Sequence, residues 1–284
     1  MQANGFTNDQ AQGFYREAVT ALQETETPFL IGGAFALESY TGLVRRTKDL
    51  DIFVRAGDCD RLLSRLRRSG YRTELRFPHW LGKAYKDGYF IDVVFNSGNG
   101  ICKVDDRWFE HAKPGDVLGR RVEIVPAEEM IWSKAFIMER DRFDGGDIAH
   151  LFRAQAKKLD WARLLSRFHR HWRVLLSHLL LFGFIYPGHR LQIPSWLMTE
   201  LMRRVELEMN SLPPDPRLCQ GTLLSWSQYL VHTEQGEYHD ARHIPRGSLT
   251  EQETRYAAGV LMRESGTCDH APTPFQQADE EVTL

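Results

Sequence analysis

Hydrophobic and polar positions follow different patterns in the two halves of the chain. In the first half, short apolar runs predict strands at 28–31, 48–54, 71–77, 89–96 and 121–125, and amphipathic stretches predict helices at 8–26, 34–40 and 58–68. After Pro126, apolar residues recur at helical spacing and predict helices at 127–142, 145–157, 160–171, 172–186 and 195–209. The pattern therefore predicts an α+β fold, with a small mixed sheet flanked by helices and followed by an all-α C-terminal half.

This change of pattern predicts a domain boundary near Pro126. We expect an α/β domain over residues 1–125 and a helical domain over residues 126–265. No long linker separates them, so we expect the two to pack tightly. Residues 266–284 are polar and acidic and contain prolines, a composition that predicts a disordered tail.

Composition and charge narrow the class of protein. The net charge of −2 gives no overall basic field of the kind that accompanies nucleic-acid binding. Four widely spaced cysteines form no CxxC pair, which argues against a structural zinc site or a disulfide framework and favours a reducing compartment. The most apolar run, residues 174–186, is shorter than the roughly 20 residues of a membrane span. With no signal-peptide pattern at the N-terminus, we expect a cytoplasmic protein without a membrane segment.

Three aspartates interrupt apolar strands. Asp49 and Asp51 are two residues apart, so on a strand both side chains point to one face while Leu50 points to the other. Asp92 lies within the apolar run 90–95. Close carboxylates repel each other, and a buried one is costly, unless a cation lies between them. Since oxygen ligands of this kind suit Mg²⁺, the three aspartates predict a magnesium site shared by two strands.

A glycine pair precedes these aspartates. Gly32 and Gly33 separate a predicted strand from a predicted helix, where backbone N–H groups without side chains in the way favour a phosphate. The other interpretation is a simple tight turn. Arg46 and Thr47 come directly before the aspartate strand, and an arginine there is suited to grip a phosphate with two N–H groups. The alternative for this arginine is a solvated turn.

Together, these motifs resemble a known superfamily. Gly32-Gly33, the segment 46–52 (RTKDLDI) and the segment 91–93 (IDV) resemble the polymerase-β-type nucleotidyltransferases. The similarity is greatest to the AbiEii/MenT-type minimal nucleotidyltransferases and to the lincosamide and aminoglycoside nucleotidyltransferases, and it covers about residues 28–150. The resemblance implies that Gly32 and Gly33 contact the triphosphate, that Asp49 and Asp51 are metal ligands, and that Asp92 is the third catalytic carboxylate and metal ligand.

A second block extends the resemblance. Residues 133–136 (SKAF) and 139–147 (ERDRFDGGD) resemble the lysine, arginine and aspartate block that follows the catalytic sheet in AbiEii-type enzymes. The resemblance implies that Lys134 reaches the phosphates. Two roles stay open for the charged residues that follow, a catalytic role and an ion-pair network that ties the two halves together; these residues are Arg140, Arg142, Asp144 and Asp147.

The expected function is an enzyme that moves a nucleoside monophosphate from ATP or another nucleoside triphosphate to an acceptor hydroxyl with Mg²⁺. The acceptor stays open between tRNA, a protein and a small molecule, and the resemblance implies a possible link to toxin–antitoxin systems. Basic residues within 157–173 keep tRNA among the candidates, although a solvated helix face is the default interpretation. The alternative is a non-catalytic nucleotide-binding or protein-interaction module on the same fold. The presence of all three carboxylates disfavours it. Nothing in the sequence indicates an oligomeric state.

Overall fold

The computed structural model describes residues 8–45, 47, 49–213 and 215–264. The strands are β1 (Leu30–Ile31), β2 (Asp49–Phe53), β3 (Arg72–Phe77), β4 (Leu81–Lys86), β5 (Tyr89–Val94), β6 (Lys113–Val117), β7 (Arg120–Ile124), β8 (Leu218–Cys219) and β9 (His239–Asp240). The helices are α1 (Asn8–Glu24), α2 (Gly33–Thr41), α3 (Ala56–Arg68), α4 (Asp106–Glu110), α5 (Ala127–Ala135), α6 (Gly145–Gln155), α7 (Trp161–Phe168), α8 (Trp172–Ile185), α9 (Ser195–Met209), α10 (Trp226–Glu234) and α11 (Glu251–Glu264), with 3-10 turns at His169–His171, Pro187–Gln192 and Gly221–Leu223.

A seven-stranded mixed sheet forms the centre of the first half, in the order β3-β4-β5-β2-β1-β7-β6. Strand β2 runs parallel to β5 and antiparallel to β1, and β1 runs parallel to β7. The two edges of the sheet are antiparallel hairpins. In β2, Leu50 and Ile52 are fully buried while the intervening aspartates are half-buried. This confirms the alternation predicted for that strand.

One hydrophobic core runs through both halves of the chain. Phe14 and Leu22 of α1 pack on the sheet, and Phe152 and Phe182 of the helical half belong to the same continuous cluster. This shared core accounts for the absence of a long linker at Pro126, which directly precedes α5. The α+β class and the helical second half are confirmed, whereas the division into separate domains stays a prediction.

Three parts of the fold differ from the sequence pattern. The helix predicted over 127–142 ends at Ala135, because the chain then turns so that Asp144 meets Lys134. Strand β4 was not predicted, since Gly82 interrupts its apolar pattern. A Cβ at Gly82 would lie 2.8 Å from a methyl carbon of Leu63 in α3, so close helix packing explains the glycine. Strand β6 was also missed, because it lies at a sheet edge and is mostly polar and exposed.

Helix α11, near the end of the described residues, packs against the central sheet. Val260 of α11 packs with Phe77 and Leu81 in a small second hydrophobic cluster beside β3 and β4. Strands β8 and β9 form a short parallel pair within this otherwise helical region. The predicted tail, residues 266–284, lies outside the described residues. Among the helices that the structure describes, none is long and apolar enough to cross a membrane.

Candidate active site

Strands β2 and β5 bring the three predicted carboxylates together. The parallel register places Asp51 directly opposite Asp92, and Asp49 lies two residues before Asp51 on the same face. One oxygen of each carboxylate lies within 4.8 Å of one oxygen of each of the others. The three side chains therefore converge on one point, as the sequence pattern predicted, and we call them the acidic triad.

The acidic triad carries more negative charge than its surroundings offset. Burial and, after it, the neighbouring carboxylates of Asp49 and Asp92 together raise the pKa of Asp51 to about 7, against the opposing effect of Lys134 and Arg142. Burial also raises the pKa of Asp92, while the Lys83 ammonium opposes that shift. A cluster of hard oxygen ligands with an uncompensated charge fits a divalent cation such as Mg²⁺. The residues present are therefore suited to hold the metal that the resemblance implies.

Lys83 is a site residue that the sequence patterns did not indicate. It lies on β4 directly opposite Asp92 on β5. Its Nζ is 2.8 Å from Oδ1 of Asp92, and both side chains are largely buried. Nothing near Lys83 in the sequence marks it, because the pairing depends on the register of a hairpin whose first strand was not predicted.

The glycine pair lets α2 begin directly against β2. Gly33 has a φ of +54°, and a Cβ there would lie 1.8 Å from Oδ2 of Asp51. A Cβ at Gly32 would lie 2.2 Å from the ring of Phe53. Both glycines line the cleft beside the acidic triad, at the N-terminus of α2. Steric fit to the triad therefore explains the pair, and its contact with phosphate stays a prediction.

The turn before β2 holds two of the predicted site residues, and the structure describes one of them, Thr47. The Thr47 hydroxyl donates a hydrogen bond to Oδ1 of Asp49 and so orients that carboxylate. Arg46 lies outside the described residues, and its contact with phosphate stays a prediction. Arg45 lines the cleft and forms an ion pair with Asp147.

Lys134 lies in an ion-pair network on the cleft wall. Its Nζ is 2.7 Å from Oδ2 of Asp144 and 2.8 Å from Oδ2 of Asp147. Arg142 also pairs with Asp144, with Nε 3.1 Å from Oδ1. The Arg142 and Lys134 charges hold the pKa of Asp144 below its usual value against the effect of burial. Arg140 is exposed. Arg142, Asp144 and Asp147 thus form an ion-pair network with Lys134 and Arg45, while a catalytic role for any of them stays a prediction.

The cleft itself has a volume of about 1170 Å³. The acidic triad and the glycine pair lie on its sheet side, and residues 222–261 form much of the opposite wall. Glu139 ties this wall to the rest of the site, since its carboxylate accepts hydrogen bonds from Ser225, from the Trp226 backbone N–H and from Ser227. Sequence reasoning missed other lining residues of the cleft; they include Trp80, Trp226, Tyr238 and Arg242.

The basic segment 157–173 is exposed only in part. Lys157, Lys158, Arg170 and Arg173 are exposed, whereas Arg163 and Arg167 turn inward, so tRNA stays among the candidate acceptors. Arg163 is 11% exposed at its side chain and Arg167 is 7% exposed. Both pair with the fully buried carboxylate of Glu129. The helical spacing of these arginines suggested a solvated surface, but acidic residues on α5 pack against them.

Comparison with known proteins was made for family models, curated sequences and solved structures. A family model described as an uncharacterised nucleotidyltransferase matches residues 1–185. No curated protein sequence matches. The solution structure of the antibiotic-resistance factor ANT(2″)-Ia is 16% identical and covers 61% of this chain and 98% of its own, with a TM-score of 0.42.

Two further structures have comparable similarity. The lincomycin-bound lincosamide antibiotic adenylyltransferase LnuA is 16% identical and covers 52% of this chain and 98% of its own, with a TM-score of 0.36. An antigenic nucleotidyltransferase-like protein from Paracoccidioides brasiliensis is 14% identical and covers 61% of this chain and 93% of its own, with a TM-score of 0.36.

Proposed function

The chain belongs to the nucleotidyltransferase family whose model spans residues 1–185, and we propose that it transfers a nucleoside monophosphate to a hydroxyl of a small molecule with Mg²⁺. The family makes the protein an enzyme that uses a nucleoside triphosphate. The observation that supports the metal-dependent step is the acidic triad, in which three half-buried carboxylates converge within 4.8 Å. The same observation disfavours a purely non-catalytic module.

Each residue of the triad has a role in this proposal. Asp49, Asp51 and Asp92 would hold Mg²⁺, which supplies positive charge for the attacking and leaving oxygens of the phosphoryl transfer. Thr47 keeps the Asp49 carboxylate oriented. Asp92 lies at the acceptor side and accepts the proton of the attacking hydroxyl. The acceptor oxygen then bonds to the α-phosphorus as the bond from this phosphorus to pyrophosphate breaks.

In this proposal, groups with positive charge or N–H donors near the triad bind the triphosphate. The Gly32 N–H donates to the Asp51 carbonyl, so we expect the first turn of α2, which begins at Gly33, to supply backbone N–H groups to the phosphates. Lys134 would leave its pairs with Asp144 and Asp147 to contact the triphosphate, because a phosphate offers it a stronger partner at the same wall. Arg46 belongs to the same proposed set. These contacts position the triphosphate and offset its charge.

The shape of the cleft supports a small-molecule acceptor. Its volume of about 1170 Å³ exceeds the roughly 300–1,000 Å³ of common ligand pockets, so a nucleotide leaves room for a second molecule. The part of the cleft lined by residues 222–261 includes Trp226 and Tyr238 together with polar side chains. Asp240 and Arg242 pair with each other there, which leaves little net charge for a nucleic-acid backbone. We therefore prefer a small hydroxylated acceptor to tRNA or protein.

An assay with α-labelled nucleoside triphosphates tests this function. The acceptors are tobramycin, which is adenylylated in a structure of ANT(2″)-Ia, lincomycin, which is bound in LnuA, a broader set of hydroxylated small molecules, total tRNA and the protein itself. We expect Mg²⁺-dependent label on a small molecule, and none with Asp51→Ala. Asp60→Ala is the matched control, since Asp60 belongs to the exposed end of another Asp-x-Asp triplet on α3.

Each other outcome has a defined meaning. Label on tRNA or on protein would support transfer but contradict the small-molecule acceptor and would reopen a toxin–antitoxin role. Calorimetry with nucleotide and Mg²⁺ separates the remaining case. Metal-dependent nucleotide binding with no transfer to any acceptor would support a nucleotide-binding module instead. Equal labelling by wild type and Asp51→Ala would contradict the metal role of the triad.

A further inference from the structure

The third carboxylate of the acidic triad has a built-in cationic partner. Nζ of Lys83 lies 2.8 Å from Oδ1 of Asp92, and the two side chains are 18% and 15% exposed. For the other two carboxylates, Asp49 and Asp51, the described residues show no ion pair. Among the described residues, Asp92 is therefore the member of the triad that has an ion-pair partner.

The sheet register creates this pairing. Lys83 lies directly opposite Glu74 of β3 on one side and Asp92 of β5 on the other. A carboxylate is therefore available to the lysine on each neighbouring strand. Glu74 accepts a hydrogen bond of 2.8 Å from the Tyr85 hydroxyl. The ammonium lies instead at Asp92 and 4.1 Å from the ring centroid of Phe90, which stabilises it as a cation. These contacts hold the lysine in one orientation.

Its location shows how Lys83 acts. Asp92 lines the cleft, whereas Lys83 is not among the described residues that line it. The lysine therefore works through the aspartate and not through substrate. A lysine that merely covered surface would extend into water, but this one is held by its ion pair with Asp92 and by the Phe90 ring.

We propose that Lys83 is a positioning residue that fixes the Asp92 carboxylate and weakens cation binding at the acidic triad until nucleotide arrives. This inference rests on the proposed function. The ammonium holds Oδ1, so Oδ2 is the oxygen left for a metal or for the acceptor hydroxyl. Its charge also offsets that of Asp92, which reduces the attraction of the triad for a divalent cation. The triphosphate brings the negative charge that restores this attraction.

Manganese binding tests the inference without any acceptor. Mn²⁺ binding to the nucleotide-free protein is followed by the loss of the free-ion signal in electron paramagnetic resonance, for wild type, Lys83→Met and Lys83→Arg. One charge a few ångströms from a divalent ion changes affinity by roughly tenfold in a partly aqueous setting. We expect Lys83→Met to bind Mn²⁺ about tenfold tighter and Lys83→Arg to bind it as wild type does.

A matched control distinguishes the effect of removing a charge beside the triad from the general effect of removing a lysine from β4. Lys86 is on the same strand and pairs with Glu17, away from the triad. We expect Lys86→Met to leave the Mn²⁺ affinity unchanged. In the transfer assay, we expect Lys83→Met to lower kcat with little change in the KM for nucleotide, because Asp92 is no longer fixed, and Lys83→Arg to restore it.

The outcomes distinguish this inference from the proposed function. Wild-type protein that binds Mn²⁺, with Asp51→Asn losing it and Lys83→Met unchanged or weaker, would overturn the role of Lys83 and leave the metal site intact. Wild-type protein that binds no Mn²⁺ with or without nucleotide would overturn both. A lower melting temperature in Lys83→Met without tighter Mn²⁺ binding would show a merely structural lysine and also overturn the inference.

Discussion

Two groups of carboxylates in this protein, one buried and one half-buried, differ in the cations that surround them. Glu128 and Glu129 of α5 are 3% and 0% exposed, and both face arginines of α7. Nη1 of Arg163 is 2.5 Å from Oε1 of Glu129, and Nε of Arg167 is 2.8 Å from the same oxygen. The chain itself thus supplies the counter-charge for these glutamates.

The acidic triad has less cation support among the described residues. Asp51 is held between Asp49 and Asp92, the Lys83 ammonium pairs with Asp92, and Lys134 and Arg142 act on Asp51 without pairing with it. The same residue chemistry therefore has opposite consequences in the two places. Where cations of the chain surround the carboxylates, the charges join two helices. Where they do not, a proton or an external cation must offset the charge, which is the property of a binding site.

The first way to break this comparison is to remove a paired glutamate. We expect Glu129→Ala to lower the free energy of unfolding by about 3–5 kcal/mol, because two arginines lose the buried partner that they share and keep only Glu128 and Asp105. Urea denaturation measures this change. The control is Glu123→Ala, since Glu123 is exposed on β7 and we expect its loss to matter little. A small effect of Glu129→Ala would show that the arginines find solvent, and the comparison would fail.

Removing a carboxylate from the acidic triad should raise the free energy of unfolding instead of lowering it. Asp51→Asn removes a buried charge that its neighbours oppose, so we expect the metal-free protein to gain about 1–3 kcal/mol of stability. The same variant should lose both Mn²⁺ binding and nucleotidyl transfer. The melting temperature in the presence of a chelator provides the stability measurement. A destabilised Asp51→Asn protein would mean that the carboxylate is satisfied by the fold.

The third test concerns the glycine that packs on Asp51. We expect Gly33→Ala to cost more than the roughly 1–2 kcal/mol of a left-handed residue, because its Cβ would also displace the Asp51 carboxylate. Gly42 is the matched control. Its φ is +72° and nothing lies within 4 Å of its Cβ position, so Gly42→Ala reports backbone strain alone. Equal losses of stability and Mn²⁺ affinity in the two variants would contradict the contact with Asp51.

The smallest expected effect is a pH dependence. The pKa of Asp51 is raised to about 7, so the folded protein holds a proton that the unfolded chain has lost above about pH 4. The stability contribution of this group therefore falls as the pH rises from about 4 to 7. Because Mg²⁺ binds the ionised carboxylate, we expect the rise in melting temperature on adding Mg²⁺ to grow over the same range. In Asp51→Asn this growth should disappear.

Much of the sheet and its carboxylates could be predicted from local pattern. The alternation in 48–54 showed that Asp49 and Asp51 share a face, and the apolar run 90–95 marked Asp92 as buried. The helix predicted over 127–142 was too long, since apolar spacing does not reveal where a chain turns to form an ion pair. The same limit made Arg163 and Arg167 look like surface residues.

The sequence by itself determined which residues could share a face, since side-chain direction repeats with the local period of strand or helix. It thus indicated the α+β class, the glycine pair and the three aspartates. Only the tertiary structure decided which charges meet. Lys83 reached Asp92 through hairpin register, Glu129 met its arginines through helix packing, and residues 222–261 closed the cleft from far along the chain. Such contacts join distant segments, so no local pattern carries them.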